Sequence, residues 1–108
     1  MHKMKILLLC HDLTTLMRLR TTWSAAGATV LKADDADIPD CIVVDLGRRD
    51  ALEQIARLRA LHPGVALIAC DHGFDEAAVT AAREAGASDF AARSFVDRRV
   101  ARLLKLEI

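Results

Sequence analysis

The side chains able to do chemistry collect just after three short apolar runs. Ile6 to Leu9 leads into Cys10, His11 and Asp12, Cys41 to Val44 into Asp45, and Val65 to Ala69 into Cys70, Asp71 and His72. Thiolate, imidazole and carboxylate together suit Zn²⁺ or another transition ion. The spacing contains neither CxxC nor HxxxH. Successive residues of a strand also point to opposite faces, so about half of this set can converge. Cys10 and Cys70 read first as small buried hydrophobes, and a metal or thiol sensor built on them is an alternative. Nothing marks an enzyme. The glycines, Gly27, Gly47, Gly64, Gly73 and Gly86, are isolated rather than gathered in a phosphate loop, and Ser24, Ser88 and Ser94 lie in no GxSxG elbow. Cys10 beside His11 is a sequence neighbour pair, not a dyad. No catalytic residue and no metal site is assigned.

The elements that carry these residues follow from the apolar pattern. A chain of 108 residues is expected to form one domain over residues 1–108. At 53% hydrophobic and 28% charged it is an ordinary globular sequence, so it holds a real core. KILLLC (5–10), CIVV (41–44) and VALIAC (65–70) are apolar throughout, as strands are when both faces of a parallel sheet are covered. Thr29 to Lys32 and Asp89 to Ala92 are shorter strands. Leu13, Leu16, Met17 and Trp23 recur at helical spacing, as do Leu52, Ile55, Ala56 and Leu58. Ala77 to Ala85 is a small-residue helix stopped by Gly86, and Val100, Leu103 and Leu104 mark the last helix. Asp12, Asp50 and Asp75 stand at helix N-cap positions. Alternating strands and helices imply an α/β chain with right-handed crossovers.

One crossover lacks its helix. Only six residues, DDADIP, separate the second strand from the third. A step of two strand places with a four-residue return spans about 16 Å. Seven extended peptide units reach about 23–25 Å, so the connection closes, but it should leave a patch of sheet bare.

The order of these elements, with PDCIVVDL around Asp45, AREAGASDF over 82–90 and Arg93-Ser94-Phe95, resembles a response-regulator receiver (CheY-like) domain across residues 5–106. The resemblance implies a flavodoxin-like, doubly wound, five-stranded parallel sheet in order 2-1-3-4-5, with the second helix missing or reduced. It also implies an aspartate that accepts a phosphoryl group from a histidine kinase. An acidic pair after the first strand would hold Mg²⁺, and a lysine and a hydroxyl would contact the phosphoryl group. An aromatic would move with the switch.

On these positions the chain departs from its pattern. Asp45 stands at the phosphoacceptor position. The acidic pair falls on Cys10 and His11, which are poor Mg²⁺ ligands, and Asp12 reads as a helix cap. The hydroxyl position falls on Ala69, the lysine position on Arg93 and the aromatic switch position on Phe90. Ser94 replaces the usual proline, so a trans peptide is expected there. Asp45 is read as the partner of Arg93, with Mg²⁺ binding weak or absent and no cofactor. The chain is therefore read as an atypical receiver-like module, a pseudo-receiver acting by protein–protein interaction. The first alternative is a two-component phosphoacceptor modified at Asp45.

The partner is expected to be a protein or effector domain, met at the bare patch or at the face of the receiver's fourth helix, fifth strand and fifth helix. That face carries Arg83, Glu84, Asp89, Asp97, Arg98 and Arg102 and is a candidate homodimer surface. Fifteen basic and fifteen acidic residues cancel, which argues against nucleic acid and anionic membrane as partners. Sparse cysteines and the lack of a secretory segment or an apolar span predict a cytoplasmic protein.

Overall fold

Runs of leucine, isoleucine and valine bounded by turn residues form strands because only a sheet covered on both faces buries all their side chains. The computed structural model describes residues 2–108. The strands β1 (Lys5–Leu9), β2 (Thr29–Leu31), β3 (Cys41–Asp45), β4 (Ala66–Asp71) and β5 (Asp89–Ala92) form one parallel sheet in order β2-β1-β3-β4-β5. Helices α1 (Leu13–Ala25) and α4 (Val96–Leu104) pack on one face. Helices α2 (Ala51–Leu61) and α3 (Glu76–Ala85) pack on the other. The fold class, strand order and missing helix agree with the expectation.

The alternation of strand side chains divides the core into two layers. Ile6, Leu8, Cys41, Val43, Ile68 and Cys70 meet Leu19 and Trp23 of α1 and Val96 and Val100 of α4. Leu7, Leu9, Ile42, Val44, Leu67 and Ala69 meet Ala51, Ile55 and Leu58 of α2 and Ala82 of α3. Trp23 is wholly buried, and its Nε1–H donates to the Asp97 carbonyl (3.2 Å), pinning α1 to α4.

Two of the three expected caps form. Asp12 accepts from Thr15 N, and Asp75 accepts from Ala77 N and Ala78 N. Asp50 does not cap α2. Its carboxylate is held instead by Arg48 (3.0 Å) and Gln54 (3.0 Å).

The β2–β3 connection spans residues 32–40 without a helix. It is tied at its far end by Asp40 N to Lys5 O (2.8 Å) and by Lys5 N to the Asp40 carboxylate (2.8 Å). The expected bare patch is not there. Leu7, Leu9 and Leu31 are each at most 6% exposed, because they close into the second layer with Ile42, Val44 and Ile55. A groove stays open at the carboxyl ends of β1 and β2. Among the described residues, no helix is long and apolar enough to cross a membrane.

Gly86 ends α3 at φ +130°, and a Cβ there would lie 2.7 Å from Arg59 Cβ. Arg59 cannot retreat cheaply, since its guanidinium bonds the carbonyls of Gly86, His62, Pro63 and Val65. Gly86→Ala should therefore cost about 1–3 kcal/mol, read as a lower urea midpoint at unchanged slope.

Candidate functional site

Asp45 ends β3 on the same sheet face as Cys10 and Cys70, and is in register with Cys70. It is fully buried, a costly place for a carboxylate unless its oxygens are bonded. Both are. Oδ1 accepts from Gly47 N (2.9 Å) and Arg93 Nη2 (3.0 Å). Oδ2 accepts from Arg93 Nη2 (3.1 Å), His11 N (3.3 Å) and the Cys10 thiol (3.4 Å). Burial pushes the Asp45 pKa up, but the Gly47 N–H and the Arg93 guanidinium outweigh it and hold the carboxyl below its usual range.

Arg93 reaches the site from the loop after β5. A single nitrogen, Nη2, serves both carboxylate oxygens, while the buried Nε has no hydrogen-bond partner. The Arg93 backbone is fixed in turn. Its carbonyl accepts from Arg18 Nη2 (2.6 Å), and its N–H donates to Asp71 O (2.8 Å). Arg18 also pairs with Asp97 (3.4 Å) at the start of α4. Gly47 permits the close approach, because a Cβ there would stand 2.8 Å from Arg93 Nη2 and 3.3 Å from Asp45 Oδ1. Every described peptide bond is trans, including the one before Ser94.

Sequence reasoning brought Asp45, Cys10 and Arg93 together correctly, and Asp12 caps α1 as expected. His11 contributes its backbone N–H to Asp45, while the residue is exposed. The Ala69 assignment has to move. Ala69 lies two residues before the end of β4 and faces the second layer, away from Asp45. The strand's end is Cys70 and Asp71, neither of which carries a hydroxyl; an unbroken apolar run gave no parity from which to place that end. Phe90 is paired with Ala69 on the second-layer face and meets Phe74 edge-on, with centroids 6.0 Å apart. Gly47 and Arg18 were missed. The glycine just after the acceptor was a visible signal, whereas nothing in the sequence marked Arg18.

The metal-ligand set does not assemble. Among the described residues, no three of His, Cys, Asp and Glu are grouped to hold an ion. Cys10 and Cys70 flank β3, so they stand about 9.6 Å apart, beyond the roughly 4.4–6.8 Å of a disulfide. Nor do the residues fit the Mg²⁺ that the receiver resemblance implies. The Asp45 lone pairs point at hydrogen-bond donors, and the flanking positions offer a thiol and an imidazole rather than hard oxygens.

On the α3–β5–α4 face several charges are used within the chain. Asp89 pairs with Arg99, Asp97 with Arg18, and Arg98 lies over the Phe95 ring.

No protein-family model matches this chain, and no curated protein does. Solved structures do. A response regulator from Thermotoga maritima is 16% identical with a TM-score of 0.77, over 96% of this chain and 99% of the other. A CheY-like receiver domain protein from Methanospirillum hungatei is 16% identical at 0.82, covering 96% and 92%. The Vibrio cholerae chemotaxis protein CheY4 is 14% identical at 0.82, covering 96% and 98%. This is the receiver fold. Within that fold Asp45 occupies the carboxyl end of the central strand, where doubly wound sheets place their sites.

The Asp45–Arg93 contact sets both the stability of this receiver-fold site and the reactivity of the thiol beside it. Arg93→Ala should cost about 3–5 kcal/mol in urea unfolding, because it leaves the buried Asp45 carboxylate uncompensated, and Asp45→Asn should cost less, because the Arg93 it leaves behind is partly exposed. Since the folded pKa of Asp45 is depressed, its contribution is complete above about pH 4 and disappears as pH falls through the folded value. The acid limb of stability against pH should accordingly be shallower in Asp45→Asn. The thiols should be slow. Burial and the nearby Asp45 carboxylate push Cys10 up to about 11 from 9.0, and burial pushes Cys41 to about 12 and Cys70 higher still. Iodoacetamide at pH 8 should label Cys10 about 10–100-fold more slowly than free cysteine. Labelling at the free rate would show that the thiol is not held against Asp45.

Proposed function

We propose that this chain is a single receiver-like signalling module whose switch site is closed by its own arginine, and that it works by binding a protein partner in one pre-set conformation. The observation that carries this reading is the Asp45 carboxylate, fully buried and saturated by Arg93, Gly47, His11 and Cys10. A phosphoacceptor must offer an oxygen lone pair to an incoming phosphorus and neutralise three further oxygens with a cation. Here the lone pairs are spent on donors, and the cation is covalently part of the chain. The partner is a protein or effector domain rather than nucleic acid, since the chain's charges cancel. The α3–β5–α4 face, with exposed Arg83, Glu84, Arg102 and Leu103, is a surface on which such a partner would dock. The module itself catalyses nothing in this reading.

The test is a backbone amide NMR titration with Mg²⁺ and then beryllofluoride, an aspartyl-phosphate mimic. The expected outcome is no saturable shift near Asp45 at millimolar Mg²⁺ and none on adding beryllofluoride. Saturable shifts around Asp45 that spread to Phe90 and α4 would replace this reading with a phosphoacceptor served by a histidine kinase.

A further inference from the structure

The groove left open at the carboxyl ends of β1 and β2 has a volume of about 220 Å³. Its walls are Leu8, Leu9, Leu16, Val30, Leu31 and Ala33, with Cys10 at one end. Its charged lining is entirely basic, from Arg20, Lys32 and Arg48. Arg48 is already forked onto Asp50, but neither Arg20 nor Lys32 has an ion-pair partner among the described residues. Leu13 and Met17 continue the apolar strip along α1, at 69% and 53% exposed. An apolar slot with a cationic rim fits an aliphatic side chain flanked by carboxylates.

The chain carries such a segment. Ile38 is the side chain of an aliphatic residue 72% exposed, and Asp34, Asp35 and Asp37 precede it. Asp35 is committed to the turn at Lys32 through the Lys32 N–H, and Asp37 lies 3.9 Å from Lys5 Nζ, which leaves Asp34 as the carboxylate with no ion-pair partner among the described residues. Ile38 cannot enter the groove of its own copy. Asp40 is bonded to Lys5 at the amino end of β1, whereas the groove begins near Leu8, about 10–13 Å along the strand. A two-fold axis across the strands reverses the ends of the sheet, so each copy's Ile38 end meets the other's groove end. A net charge of zero places no general repulsion between copies.

We propose that this groove is a self-association site, filled in a two-fold dimer by Ile38 and the flanking aspartates of a second copy. The two contacts are equivalent, as a two-fold interface requires.

Sedimentation velocity on the 108-residue chain, from micromolar to millimolar concentration, tests it. The expected result is a concentration-dependent dimer that Ile38→Asp and Arg20→Glu each weaken by about tenfold or more, equivalent to about 1.4 kcal/mol. Asp34→Arg added to Arg20→Glu should recover most of the loss, because it restores opposite charges across the contact. All three side chains belong to exposed residues, so urea midpoints should stay near that of the parent; if Arg20→Glu lowers its midpoint, Lys32→Glu takes its place. A monomer throughout the range would overturn the proposal. So would a dimer indifferent to Ile38→Asp, or one that the charge exchange fails to recover. None of these results bears on whether Asp45 accepts phosphate.

Discussion

A carboxylate with no solvent exposure must be neutralised by something, and in this chain the something is Arg93. Isolated burial of a charge costs far more than a domain of this size can spare. Asp45 is accommodated because its oxygens receive hydrogen bonds from Gly47, His11, Cys10 and Arg93, one of them a full positive charge. Much of the local structure serves that contact. The loop after β3 passes close by with a glycine, where any side chain would strike the guanidinium. The loop after β5 is held at the Arg93 carbonyl by Arg18, which also grips Asp97, and the Asp97 carbonyl accepts from Trp23. Asp45 in the sheet is thereby linked to α1 and α4 through a short series of polar contacts within the first core layer.

An exchangeable ion and a tethered one differ in what they allow. A bound cation stabilises its site in proportion to its free concentration, so occupancy responds to conditions. A guanidinium on the same chain is present at all times, and Asp45 sees the same positive charge whatever the surroundings. A ligand shifts an equilibrium only by its differential affinity for two states. A phosphoryl group arriving at Asp45 would first have to break the Arg93 contact and leave the guanidinium, with its already unpartnered Nε, without a carboxylate. The physical consequence is that any ligand of Asp45 competes with a guanidinium already in contact with both carboxylate oxygens.

The fold was legible because its signals were redundant. Three continuous apolar runs, two side-chain caps at Asp12 and Asp75, and the stop at Gly86 each pointed to the same sheet. Even the missing crossover helix followed from chain length alone. Legibility failed where one signal stood by itself. Asp50 looked like a cap, but Arg48 and Gln54 compete for the same oxygens and win. The hydroxyl position fell on Ala69, two residues before the last residue of β4, because an apolar run covered on both faces carries no alternation. The bare patch was expected from topology, but topology does not show how far two layers can close over leucines. At the site, the Asp45–Arg93 pair was readable from charge and position, whereas the roles of Gly47 and Arg18 depend on approach distances and a long-range backbone contact.

The loss of the crossover helix and the closure of the switch site also meet in space. Cys10 gives its thiol hydrogen to Asp45 and at the same time borders the groove that opens at the ends of β1 and β2. In a chain with a longer β2–β3 connection, residues of that connection could cover those ends; here the connection drops directly to Lys5 at the opposite end of the sheet. What remains exposed is a basic, apolar-floored slot beside a site whose charge is already settled. Binding in that slot would therefore not alter the charge of Asp45, and the charge of Asp45 would not gate the slot. The two features are neighbours that share Cys10, and the Asp45–Arg93 ion pair meets the slot through that thiol contact.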